Sequence, residues 1–163
     1  ESDMEGMGES ISNGLEVIQE NGKTRIKVNA KNSEVSYVID GIEYAADSLK
    51  NGIPDEIATV NMITSPTNAK KSYVVINTKQ KKGQFISYAN GVLKYKYNKQ
   101  EYTLNPEKLE EPALVINNRL TRSFNIDPVQ IIQIRPASEL ERQLLGAPSA
   151  QVIIVTDKMG FFF

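Results

Sequence analysis

The run Tyr37-Val-Ile-Asp-Gly41 ends a strand and opens a turn. Val35, Tyr37 and Ile39 fall on alternate positions, the period at which side chains share one face of a strand. Asp40-Gly41 is a strong turn dipeptide, because Gly takes positive φ without steric cost. Ile42-Glu-Tyr44 follows, and residues 45–50 read as a short helix. Two further strands are expected, at 57–63 (Ile-Ala-Thr-Val-Asn-Met-Ile) and 72–79 (Ser-Tyr-Val-Val-Ile-Asn-Thr-Lys). The same order of elements returns near the C-terminus, and this return organises the rest of the chain.

The chain has 163 residues, which suits one globular domain or two small ones of about 70 to 80 residues each. Its hydrophobic content is 40 %, enough to form a core. A formal charge of −1 gives no general attraction to nucleic acid or to an anionic membrane surface. No apolar run approaches the roughly 20 residues that span a bilayer as a helix. There is no Cys and no His. Thiol nucleophiles and disulfides are therefore excluded, as are every Ser-His-Asp or Cys-His arrangement and the commonest zinc ligand. Trp is absent as well, which removes the largest stacking platform for sugars or bases.

Residues 1–13 are acidic and rich in Gly and Ser. They read as a leader or linker, or equally as an ordinary terminus. Alternation at 15–19 and 24–29, with turn residues between, predicts a β-hairpin that belongs with the first unit in a segment 14–82. Residues 83–111 are expected to form a β-hairpin connector, turning at Asn90-Gly91, with a third strand at 101–104. Tyr88, Tyr95, Tyr97 and Tyr102 make it the most aromatic part of the chain. Two readings stand for them: cross-strand packing, and an exposed aromatic face for a partner. The second unit and an aromatic tail occupy 112–163. Its first strand (113–116) turns at Asn117-Asn118, which tolerates left-handed conformations as Asp40-Gly41 does. Ser138 with Glu141 forms a capping box for a short helix that stops at Gly146, and 150–156 is an apolar last strand.

Alignment of Asp40 with Asn117 brings Val38-Ile39 onto Val115-Ile116, and 73–79 onto 151–158 with a shared terminal Thr-Lys or Thr-Asp-Lys. The expected fold class is therefore α+β, two β-α-β-β modules with additional β-hairpins. The sequence around Tyr37-Val-Ile-Asp-Gly41, Ile53-Pro-Asp-Glu-Ile57 and Val74-Val-Ile-Asn-Thr-Lys79 resembles the plug domain of TonB-dependent outer-membrane receptors of the Bacteroidetes type. Ile126-Asp-Pro128, Gln130-Ile-Ile-Gln-Ile134 and Val152-Ile-Ile-Val-Thr-Asp-Lys158 resemble it again. Similar modules occur in stand-alone exported proteins and in C-terminal extensions of membrane zinc metallopeptidases. The resemblance covers 35–79 and 112–158. It implies two plug-like modules and an exported protein, periplasmic or associated with the outer membrane or cell surface. It carries no activity over, since the first copy has Asn68-Ala-Lys-Lys71 where the family has a Gly-rich loop and no zinc motif is present.

Among carboxylates, Asp40, Asp47, Asp55 and Glu56 invite an acid–base or calcium reading. Turn formation and capping account for them more simply. No glycine loop follows a strand and opens a helix as a phosphate cradle requires. The chain is thus expected to be no enzyme and to hold no cofactor and no metal. Its expected role is contact with another envelope protein, through the tyrosines named above or through strand edges at 24–29 or 92–97. The alternative is a sensor or ligand-binding ectodomain of a larger membrane protein. Asp40, Gly41, Asn117 and Asn118 are expected as structural turn residues.

Overall fold

Strand is the rule and helix the exception in the computed structural model, which describes residues 15–20, 23–28, 34–49, 52–53, 55–79 and 86–157. The leader at 1–13, the residues 21–22 between the first strands, Pro54, the lysines at 81 and 82 and the aromatic tail at 160–163 lie outside the described residues. The chain divides into two units, with the break between Thr78 and Lys79.

The first unit begins with a hairpin of β1 (Leu15–Glu20) and β2 (Lys23–Val28), paired antiparallel from Leu15 opposite Val28 to Glu20 opposite Lys23. A four-stranded sheet follows, built from β3 (Glu34–Ile39), β4 (Ile42–Ala45), β5 (Ile57–Thr64) and β6 (Lys71–Thr78) in the order β4-β3-β6-β5. β3 and β6 run parallel, so Tyr37 lies beside Val74 and Ile39 beside Ile76. Tyr37, Val74 and Ile76 form the core of the unit with Ile53, and Ile39 and Leu49 pack against them.

The second unit contains a meander of β7 (Ile86–Ala89), β8 (Val92–Tyr97) and β9 (Gln100–Leu104). It also contains a second four-stranded sheet of β10 (Leu114–Ile116), β11 (Arg119–Thr121), β12 (Ile131–Pro136) and β13 (Val152–Thr156), in the order β11-β10-β13-β12. α1 (Glu139–Leu144) joins β12 to β13. Leu93 and Tyr95 of β8 share one core with Leu114, Ile134, Val152 and Ile154 of the sheet. The region expected as a connector at 83–111 therefore contributes, over its described strands, two of the seven buried residues of this unit's core cluster. β13 is buried at all five positions, as a strand covered on both faces must be.

The two four-stranded sheets have the same topology. Each starts with a hairpin, sets its first strand parallel to its last, and places the third strand antiparallel on the far side of the last. Each also carries a register shift at the start of that third strand, between Ile57 and Thr59 and between Ile131 and Gln133.

The expected α+β class, with two plug-like β-α-β-β modules, is overturned. The described chain is mostly β, and α1 is its one α-helix. The segment expected as a helix at 45–50 is a single 3-10 turn, Ala46–Leu49, with the Ser48 hydroxyl bonded back to Ala45 O at 2.7 Å. A segment this short becomes an α-helix only with local support, such as the capping box that holds the six residues of α1, and Gly52 beyond Ala46–Leu49, at φ 88°, departs from helical backbone. A 3-10 turn precedes the third strand of each sheet, Ala46–Leu49 in one and Pro128–Gln130 in the other, whereas α1 follows the third strand of the second sheet alone. What the two sheets have in common is four strands, not a strand–helix–strand unit.

Candidate functional site

The turn residues come first, because they set the strand edges. Asp40 and Gly41 have φ of 50° and 87°, and Asn117 and Asn118 have 52° and 68°. Two successive left-handed residues make the hairpin turn whose twist matches the flanking strands. Asp40 does more than turn the chain. Its Oδ1 accepts from the Thr78 backbone N–H at 2.9 Å, and its Oδ2 accepts from the Thr78 hydroxyl at 2.6 Å. Asn117 holds Thr156 in the same way: its Oδ1 accepts from the Thr156 N–H at 3.0 Å, and its Nδ2 donates to the Thr156 hydroxyl at 2.8 Å. Both residues thus tie the first strand's turn to the end of the last strand. Neither forms a catalytic cluster, and no group of three or more acidic residues able to hold a metal occurs among the described residues. Asp55 and Glu56 are exposed.

The four tyrosines lie on the core side of the meander. Tyr95 is buried and stacks on Tyr102 with ring centres 5.0 Å apart. Tyr88 stacks on Phe124 at 4.6 Å. Tyr88, Tyr97 and Tyr102 are half-buried against the core cluster. Burial raises the pKa of Tyr95, with a smaller push from Tyr102. Burial also raises that of Tyr88, helped by Glu107. The opposite face of the meander carries Lys94, Lys96 and Glu101, all exposed. The edge expected at 92–97 is not an edge, because β8 is the middle strand, flanked by β7 and β9.

The first sheet has two edge strands, β4 and β5, and β4 is the one exposed along its whole length. All four of its residues are exposed, and β3 is its single partner in that sheet. Ile42 and Tyr44 stand opposite Ile39 and Tyr37, so they continue the apolar face of the core to the rim. They are nevertheless 58 % and 37 % exposed. In a two-residue hairpin the residues flanking the turn exchange hydrogen bonds, and the pairs then alternate. Ile42 and Tyr44 therefore bond inward to β3, while the N–H and C=O of Glu43 point away from the sheet. Edge strands are commonly protected by charge, Pro or a bulge. Here the one charge, Glu43, is drawn back by Lys71 at 3.4 Å, and Lys71 Nζ lies 5.0 Å above the Tyr73 ring. These contacts raise the Lys71 pKa, the Tyr73 contact first. The matching strand of the second sheet, β11, has Arg119 and Thr121 where β4 has Ile42 and Tyr44. The apolar rim thus belongs to this sequence and is not forced by the topology. The signal for it was the alternation Ile42-Glu43-Tyr44 directly after Asp40-Gly41.

The second unit contains an open cavity of about 510 Å³ between Leu109–Glu111 and the α1–β13 loop. No helix among the described residues is long and apolar enough to cross a membrane. Comparison with known proteins gives no match to any family model, curated protein or solved structure.

Proposed function

We propose that this chain is a non-enzymatic protein of the cell envelope that binds another protein by strand addition at β4. The observation that carries the reading is the open edge at Ile42–Ala45, with two large apolar side chains on its core-facing side and its charge withdrawn. An added strand would bond to the outward Glu43 N–H and C=O and lay alternate apolar side chains against Ile42 and Tyr44. The envelope location rests on the resemblance of 35–79 and 112–158 to exported plug-like sequences. A sequence without His or Cys supports the non-enzymatic reading.

Photo-crosslinking in the native cell tests it. A benzophenone side chain at position 42 or 44 is expected to form a discrete adduct with one protein. Glu43→Pro is expected to abolish that adduct, because it removes the outward donor while sparing the inward bonds to β3. The exposed Glu43–Lys71 pair lost with it contributes little to stability. An adduct that survives Glu43→Pro, or none at either position, would reject strand addition at β4.

A further inference from the structure

Charges of opposite sign line the cavity of the second unit without an ion pair among the described residues. Its walls come from Leu109, Glu110 and Glu111 after the 3-10 turn Pro106–Lys108, from Arg142 of α1, and from the loop 148–151. The walls are fixed to the rest of the unit by side-chain bonds to backbone carbonyls. The Arg122 guanidinium donates to Leu109 O and, at 2.8 Å, to Glu110 O. Ser149 Oγ donates to Pro112 O at 2.6 Å. Arg142 Nη1 donates to Ala137 O at 3.1 Å and to Ala150 O at 3.3 Å.

The last two bonds use one nitrogen of Arg142. Its Nη2 and Nε have no partner among the described residues, and Arg142 forms no ion pair with any of them. Glu110 and Glu111 are exposed and equally without an ion-pair partner among the described residues. A half-buried guanidinium, braced on one side and unspent on the other, is preorganised for a carboxylate. Two carboxylates in the same lining suit an ammonium. A volume of about 510 Å³ lies within the range of small-ligand sites.

We infer that this cavity binds a short zwitterionic peptide, its C-terminal carboxylate on Arg142 and its amino terminus at Glu110 and Glu111. The inference is independent of strand addition at β4, because it concerns the other unit and other chemistry.

The probe is trialanine, compared with its C-terminal amide and its N-acetyl derivative, titrated into the full chain and followed by amide NMR. Trialanine is expected to shift the amide resonances of 109–111 and 149–151 in a saturable way. Loss of either terminal charge is expected to weaken binding about tenfold, as removal of one charge-assisted contact does. Arg142→Gln should weaken trialanine to the level of the amide. Because that change also removes the bonds from Arg142 to Ala137 O and to Ala150 O of the loop, the paired change Glu110→Gln and Glu111→Gln serves as the second variant. Both residues are exposed, so the fold is retained, and this variant should bind trialanine no better than wild type binds the N-acetyl form. Absence of saturable shifts with trialanine overturns the inference. Equal binding of trialanine and its amide, or a glutamine pair that binds like wild type, overturns it too.

Discussion

Asp40 and Asn117 do the same work with different chemistry. A carboxylate can only accept, so the Thr78 hydroxyl must donate to Asp40 Oδ2. An amide offers a donor, so the Thr156 hydroxyl accepts from Asn117 Nδ2. The threonine hydroxyl rotates to suit either partner, which makes the two residues interchangeable at this position. Asp40→Asn and Asn117→Asp are therefore expected to change stability by less than about 1 kcal/mol. Alanine is a different matter. It loses both bonds to the threonine and places a Cβ-bearing residue without a local polar contact at positive φ. The expected cost is roughly 2–4 kcal/mol, adding the lost hydrogen bonds to the left-handed penalty. Amide exchange locates the effect: Asp40→Ala should expose the Thr78 amide and leave Thr156 protected, with the reverse in Asn117→Ala. Equal loss at both amides would show that the two ties are not separate. Asp40 and Asn117 could be recognised as turn residues from sequence, because turn chemistry is local. Their bonds to Thr78 and Thr156, 38 and 39 positions away, could not be, because only strand pairing brings the partners together.

At the scale of elements, α1 shows where local reading succeeds and where it stops. Ser138 and Glu141 form the capping box that their spacing predicts: Ser138 Oγ accepts from the Glu141 N–H at 3.2 Å, and Glu141 Oε1 accepts from the Ser138 N–H at 3.0 Å. The same carboxylate also receives both Nη groups of Arg135 from β12, at 2.6 and 2.7 Å, and Arg135 Nε donates to Gln133 at 2.6 Å. Arg135 is 1 % exposed, so one carboxylate caps the helix and neutralises a buried cation. Nothing in the sequence marks Arg135 as buried, since it sits in a strand beside Pro136. The 3-10 turn at Ala46–Leu49 in place of an α-helix and the brevity of β11 were hidden for a related reason. Segments of three to six residues take their structure from neighbours that are distant in sequence. Ser138→Ala should cost about 1 kcal/mol, the usual loss of an N-cap. Glu141→Gln should cost about 3–5 kcal/mol, because it leaves Arg135 buried without a counter-charge. Replacing Arg135 and Glu141 together with Met and Leu should cost far less than Glu141→Gln alone. Urea midpoints of the four proteins test this order, and a double replacement as damaging as Glu141→Gln would refute it.

At the scale of the whole molecule, two sheets of one topology are completed by different residues. The apolar face of the second sheet meets the meander through Leu93 and Tyr95, while the core of the first is closed in part by Ile53 and Leu49. Each core contains a buried tyrosine whose pKa burial raises, Tyr95 in one and Tyr37 in the other. Alkaline pH therefore acts on both cores with the same sign. Below the unfolded tyrosine pKa of about 10, both states hold the phenolic proton and stability does not depend on these groups. Above it the unfolded chain releases the proton while the folded chain retains it, so stability falls as pH rises from about 10 toward the raised folded values. The loss should be steeper in the second unit, where Tyr95 is 2 % exposed, than in the first, where Tyr37 is 8 % exposed. Tyr95→Phe should flatten the decline for amides of β8 and β13 and leave that of β3 and β6 unchanged. Tyr37→Phe should do the opposite. Amide exchange across pH 8 to 11, corrected for intrinsic rates, separates the two. If either substitution flattens the decline in both units equally, the two cores unfold as one cooperative body, and the division at Thr78 describes geometry without describing stability.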